Sequence, residues 1–192
     1  MKKTTKKILI RFLIGCIIII AGITWFFPFS QFSIYKSFSY NPDPVVVEQY
    51  NDDLDRFKKV YNKESRNQRN QRDLTNNRIQ YIIEMYEEDS FLSDKPSKIT
   101  IHSLHSLLYN VVETRETLIE LSFEETYEKD AKDFLRLHLE GVLALEEDIE
   151  NIIQSTNNSR FTLQLQYSNL YMSFIGNLNF LESFYDEYSK NR

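Results

Sequence analysis

Eighteen consecutive residues without a charge, Phe12 to Phe29 (FLIGCIIIIAGITWFFPF), leave a water-soluble fold little choice about where this segment can go. As a helix the run spans about 27 Å, close to the thickness of a bilayer's hydrocarbon core. Ile8, Leu9 and Ile10 extend it if Arg11 snorkels to the headgroups. Trp25, Phe26 and Phe27 stand at the far end, where aromatic rings favour the interface. Lys2, Lys3, Lys6, Lys7 and Arg11 precede the run, and Lys36 is the only charge between it and Asp43. The positive-inside bias therefore predicts a cytoplasmic tail at 1–11, a transmembrane anchor at 12–29, and residues 30–192 outside. A cleaved signal peptide needs small residues before the cut, and Pro28-Phe29-Ser30-Gln31-Phe32-Ser33 offers none in the required pattern. Leu13-Ile14-Gly15-Cys16 is similar to a lipoprotein processing site, but more apolar residues follow Cys16 and Arg11 interrupts the stretch before it. The expectation is an uncleaved anchor.

Beyond the anchor the chain predicts an all-α fold. It has only four glycines and four prolines, too few for the turns a sheet protein needs. Residues 12–192 carry 18 basic against 28 acidic side chains, which argues against nucleic acid as a partner. The lone cysteine, Cys16, lies in the apolar run, so the remainder has no disulfides. Residues 30–43, with Phe32, Ile34, Phe38 and Tyr40 at alternate positions, read as an extended linker or, more attractively, an aromatic strip on the membrane surface.

Residues 44–190 read as three to four helices. Asp43 caps the first and Pro44 fits its opening position, after which Val47, Tyr50, Leu54, Phe57 and Tyr61 form one stripe. The stripe lapses between Asn62 and Asp73 and resumes at Leu74, Arg78, Tyr81, Ile82 and Met85. A turn at 89–98 leads to a helix starting near Thr100, with Ile101, Leu104, Leu108, Val111 and Leu118 as its stripe. Ser122-x-x-Glu125 matches a capping box and places the start of the next helix there, although one continuous rod is an open alternative. That helix carries Ala131, Leu135, Val142, Leu145, Ile149 and Ile152, and Ser155–Ser159 (STNNS) ends it. In the last helix Leu163, Tyr167, Leu170, Phe174, Leu178, Leu181, Tyr185 and Tyr188 step by three and four. That is the spacing of near-antiparallel, coiled-coil-like packing. The arrangement resembles, in architecture alone, the extracytoplasmic four-helix sensor modules of chemoreceptors and sensor kinases. Those receptors return through the membrane after the last helix, whereas this sequence stops at Arg192.

Chemistry-bearing residues are few. His102 and His105 share a helix face and could begin a metal site with Glu113, Glu116 or His138, yet nothing in the spacing supplies a third ligand. Glu124-Glu125 and Glu146-Glu147-Asp148 sit in highly charged segments and read as solvated faces. Lys63, Arg66, Arg69 and Arg72 recur every third residue, so they spiral around a helix, and they read as partners for acidic stretches or as a solvated segment. Gly141 and Gly176 read as points of close helix approach.

The most informative pattern is a second apolar surface on the last helix. Phe161, Leu165 and Met172 lie about 160–200° around from Leu163, with Phe180 drifting onward. Either the protein's own linker or first helix covers them, or they form an interface with another protein or a second copy. The reading that follows is a non-enzymatic, membrane-anchored interaction module with no catalytic, cofactor or metal site. A ligand-sensing bundle and a metal-dependent enzyme using His102 and His105 are the alternatives.

Overall fold

Several helix starts in this chain are set by caps that can be followed atom by atom. A computed structural model describes residues 3–67 and 73–190, with side chains over 6–65 and 73–190. In chain order the elements are α1 (Lys3–Phe26), β1 (Ser37–Tyr40), α2 (Pro44–Asn67), α3 (Leu74–Tyr86), α4 (Asp89–Leu92), β2 (Ser97–Thr100), α5 (Ile101–Glu124), α6 (Lys129–Gln154) and α7 (Arg160–Lys190). Asp43 accepts the Val45 N–H at 2.9 Å, with Pro44 opening α2 as expected. Asp73 accepts the Asn76 N–H at 3.0 Å and starts α3. Thr100 and Ser103 form a reciprocal box at the head of α5, each side chain on the other's N–H at 2.9 Å.

The chain is mostly helical, with three departures from the sequence-based expectation. The first is a small sheet: β1 pairs antiparallel with β2, Phe38 opposite Ile99, and both side chains are buried. Alternation along β1 turns Phe38 and Tyr40 inward onto Tyr167, with ring centroids at 6.1 and 4.8 Å. The aromatic strip is therefore divided, since Phe32, Ile34 and Tyr35 remain exposed while Phe38 and Tyr40 belong to the core.

The second departure is at the α5–α6 boundary. A break does occur, at 125–128, but Ser122 lies in the last turn of α5 instead of starting α6. Its hydroxyl donates to the Ile119 carbonyl at 2.7 Å, so it is spent on the preceding turn and cannot cap the next helix. The third is at the anchor's end. Helix α1 stops at Phe26, and Phe29 packs in the core against Phe38, centroids 5.7 Å apart. Residues Lys6–Phe26, 21 in all with mean hydropathy 2.4 and none of the apolar window buried, are long and apolar enough to cross a membrane.

Helix α7 lies at the centre of the folded part. Leu163, Leu170, Phe174, Leu181 and Phe184 are fully buried, most extensively against α6, which in turn packs on α5. Phe91 from the short α4 stacks on Tyr171 at 5.0 Å and meets Phe174 at 4.6 Å. At Gly141 α6 comes close to α7: a Cβ there would overlap the Asn177 side-chain oxygen. Gly176 differs, because a Cβ there would meet open space, so close packing does not account for it. In the cationic tract Lys63 is exposed, and the side chains of Arg66, Arg69 and Arg72 lie outside the described residues.

Candidate interaction surface

Burial of the α7 stripe fixes that helix's rotation, and the rotation decides which side chains face outward. Ser159 sets its start: the hydroxyl accepts the Thr162 N–H at 3.1 Å, and the Ser159 carbonyl accepts the Leu163 N–H at 2.9 Å. With Leu163, Tyr167, Leu170 and Phe174 inward, Phe161, Leu165 and Met172 face solvent at 75, 54 and 55 % exposure. Phe180 is half-buried and stands apart from this row.

The protein's own segments flank this surface without covering it. Strand β1 runs beside it, tied by Gln164 Nε2 donating to the Ser39 carbonyl at 2.8 Å, and the first turn of α2 lies alongside. Between α7 and the start of α2 is a groove of about 420 Å³ with Tyr40, Val46, Phe161, Leu165 and Met172 in its walls. Val46, half-buried in the first turn of α2, supplies the apolar wall on that side of the groove. Sequence reasoning missed Val46 because it stands outside the α2 stripe and nothing in the linear pattern brings it beside α7.

The remaining candidates fall elsewhere. His102 and His105 are both exposed on α5, whereas His138 is buried in α6. Among the described residues no group of three or more His, Cys, Asp or Glu side chains is arranged to hold a metal ion. Glu124, Glu147 and Asp148 are exposed, and Glu146 takes both its oxygens to Arg115 at 2.6–2.7 Å. His138 is the one polar residue in the α6 stripe. Its Nε2 shares a 2.8 Å hydrogen bond with the Tyr86 hydroxyl, and burial lowers its pKa to about 3, so it stays neutral.

A second polar cluster, also missed, ties the far end of α7 to the head of α3. Tyr188 donates to Asp73 at 2.7 Å, Tyr185 donates to the Asn76 side chain at 2.8 Å, and Tyr61 donates to the Asn76 carbonyl at 2.8 Å. Burial raises the Tyr185 and Tyr188 pKa values well above that of an ordinary phenol, so both remain hydrogen-bond donors at neutral pH. These contacts join α2, α3 and α7, which is a structural role. No periodicity argument could have found them, because they pair residues as many as 115 positions apart.

At the opposite end Arg160 reaches α1. Its guanidinium lies 4.6 Å from the centroid of the Trp25 ring and its Nε donates to the Trp25 carbonyl at 2.9 Å. Ile34 N–H donates to Thr24 Oγ1 at 3.2 Å, a second tie between α1 and the folded part. Compared with known proteins, the chain matches no family model, no curated protein and no solved structure.

Proposed function

We propose that this protein is a membrane-anchored, non-enzymatic helical interaction module, held by α1 with its N-terminus in the cytoplasm and its helical bundle outside. The partner is a protein in or at the same membrane, or a second copy of the chain. One observation carries the reading: Phe161, Leu165 and Met172 form an exposed apolar row beside an open groove, although the same helix already buries a complete stripe on its other side. A helix that needed only to fold would present polar residues there.

The anchoring half is supported by the length and apolarity of Lys6–Phe26, by the basic residues preceding it, and by the exposed Trp25 and Phe26 at its end. Location beside α1 matters for the interaction half. Arg160 touches Trp25, so Phe161 lies at the membrane end of the row and Met172 about 17 Å farther along the helix. A partner confined to the same bilayer meets this surface at high effective concentration.

The test is Leu165→Glu combined with Met172→Glu in the full chain. The variant should keep its helical content and melting temperature, while self-association or recovery of the partner from cross-linked native membranes falls at least about tenfold, the effect of roughly 1.4 kcal/mol of lost apolar contact. Unchanged association by a folded variant would remove the interface. A non-penetrating protease applied to intact cells tests the orientation, which fails if the C-terminal part is digested only after lysis.

A further inference from the structure

Away from the α7 row, a cavity of about 720 Å³ lies in the crook between the end of α1 and the small sheet. That volume falls within the range of sites that hold small organic molecules, about 300–1,000 Å³. Its apolar side is made by Ala21 and Trp25, one turn apart on the same face of α1, and by Ile34 and Phe38 opposite. Its polar side is cationic: Lys98 from β2 and Arg160 from α7 both line it, and no acidic residue does. Neither cation forms an ion pair among the described residues. Arg160 is oriented by Trp25, through its Nε and the face of its guanidinium.

The geometry points to a binding site for one anionic phospholipid, its phosphate between Arg160 and Lys98 and the upper part of its acyl chains along Ala21, Trp25 and Ile34. This rests on the membrane-anchoring part of the proposed function. Three features argue for that occupant over a soluble anion. The apolar wall is continuous with the exposed surface of α1, which a free phosphate would leave uncovered. The two cations lie on the sheet and α7 side of the cavity, at the end of the apolar helix, where a lipid's charged group sits relative to its chains. Arg160 has an orientation already set by its ring and carbonyl contacts, so phosphate binding requires little further ordering of that side chain. The site also gives the Arg160–Trp25 contact a purpose beyond packing, since a lipid bridging α7, β2 and α1 would set the angle at which the helical part stands on the membrane.

Trp25 is the only tryptophan in the chain and it lines this cavity, so its fluorescence reports on lipid that enters it. The full-length protein is reconstituted in phosphatidylcholine vesicles containing a minor fraction of bromine-labelled phosphatidylglycerol, and separately with the same fraction of bromine-labelled phosphatidylcholine. Bromine quenches the indole on contact. The expected result is a preference for the anionic lipid of at least about fivefold, the amount one cation contributes next to an anionic headgroup. Lys98→Glu, which touches none of the Trp25 contacts, should abolish that preference without changing helical content, and Arg160→Gln should reduce it. Equal quenching by the two lipids overturns the lipid site and leaves the anchor standing. No quenching by either removes the anchor and the lipid site together. A preference that survives Lys98→Glu overturns the assignment of the phosphate to this cavity.

Discussion

Helices α6 and α7 bury stripes of the same kind, yet their outer surfaces have little in common. On α6 the exposed positions are Lys132, Asp133, Arg136, Glu140, Glu147 and Glu150 among others, with Arg136 and Glu140 paired one turn apart at 3.5 Å. On α7 the corresponding surface carries Phe161, Leu165 and Met172. Folding accounts for α6 but for one exposed leucine, Leu143: an apolar side meets the core and a mainly charged side meets water. It accounts for only half of α7. The difference separates residues kept for packing from residues that packing does not need, and the second group is where function is to be sought when no chemistry marks a site.

The comparison is broken most severely from inside. Phe174→Ala removes a fully buried ring at the junction of α7 with Phe91 and Tyr86, and should cost about 3–5 kcal/mol in a denaturant melt. A loss near zero would mean that α7 is not the centre of the core.

The polar member of the α6 stripe gives a pH signature of its own. His138 has a folded pKa of about 3 against 6.5 when free, so below pH 6.5 the unfolded chain takes up a proton that the folded chain refuses. Its contribution is complete above pH 6.5 and is lost as the pH falls, by about 2 kcal/mol at pH 5. Stability of the native protein and of His138→Gln, measured from pH 7 to pH 5, should therefore converge. Parallel curves would place His138 in a more hydrated setting than its burial indicates.

Two glycines sharpen the contrast further. Gly141→Ala forces the Asn177 side chain to turn away within the core and, set against the gain in helix propensity, should destabilise by up to about 2 kcal/mol. Gly176→Ala meets nothing and should stabilise by up to about 1 kcal/mol through helix propensity alone. If both substitutions shift the melting temperature in the same direction, the close approach of α6 and α7 is misplaced. The smallest effect belongs to the outer row: Leu165→Glu should change stability by no more than about 0.5 kcal/mol. Its consequence is expected in association, where the inner-row variant cannot be read.

What was legible in the sequence followed from periodicity and caps. The α7 stripe needed only the 3.6-residue turn, and seven of its eight members are buried, with Tyr188 half-buried at the end. The Asp43-Pro44 start and the STNNS turn are local chemistry, and both stand where expected. The Ser122 motif misled because a capping box and a last-turn serine look alike until the hydroxyl's partner is known.

The sequence by itself determined a long apolar helix at the start, a mostly helical remainder, and the existence of a doubly apolar last helix, since each depends on neighbours a few residues apart. Only the tertiary structure decided that Phe38 and Tyr40 belong to a strand in the core, that Val46 lines a groove beside α7, and that Arg160 meets Trp25 beside a cationic cavity. Those relations span tens to more than a hundred residues, and they arise from how buried stripes rotate the elements against one another. A helical period records which side of an element is apolar, and packing alone assigns what that side will touch.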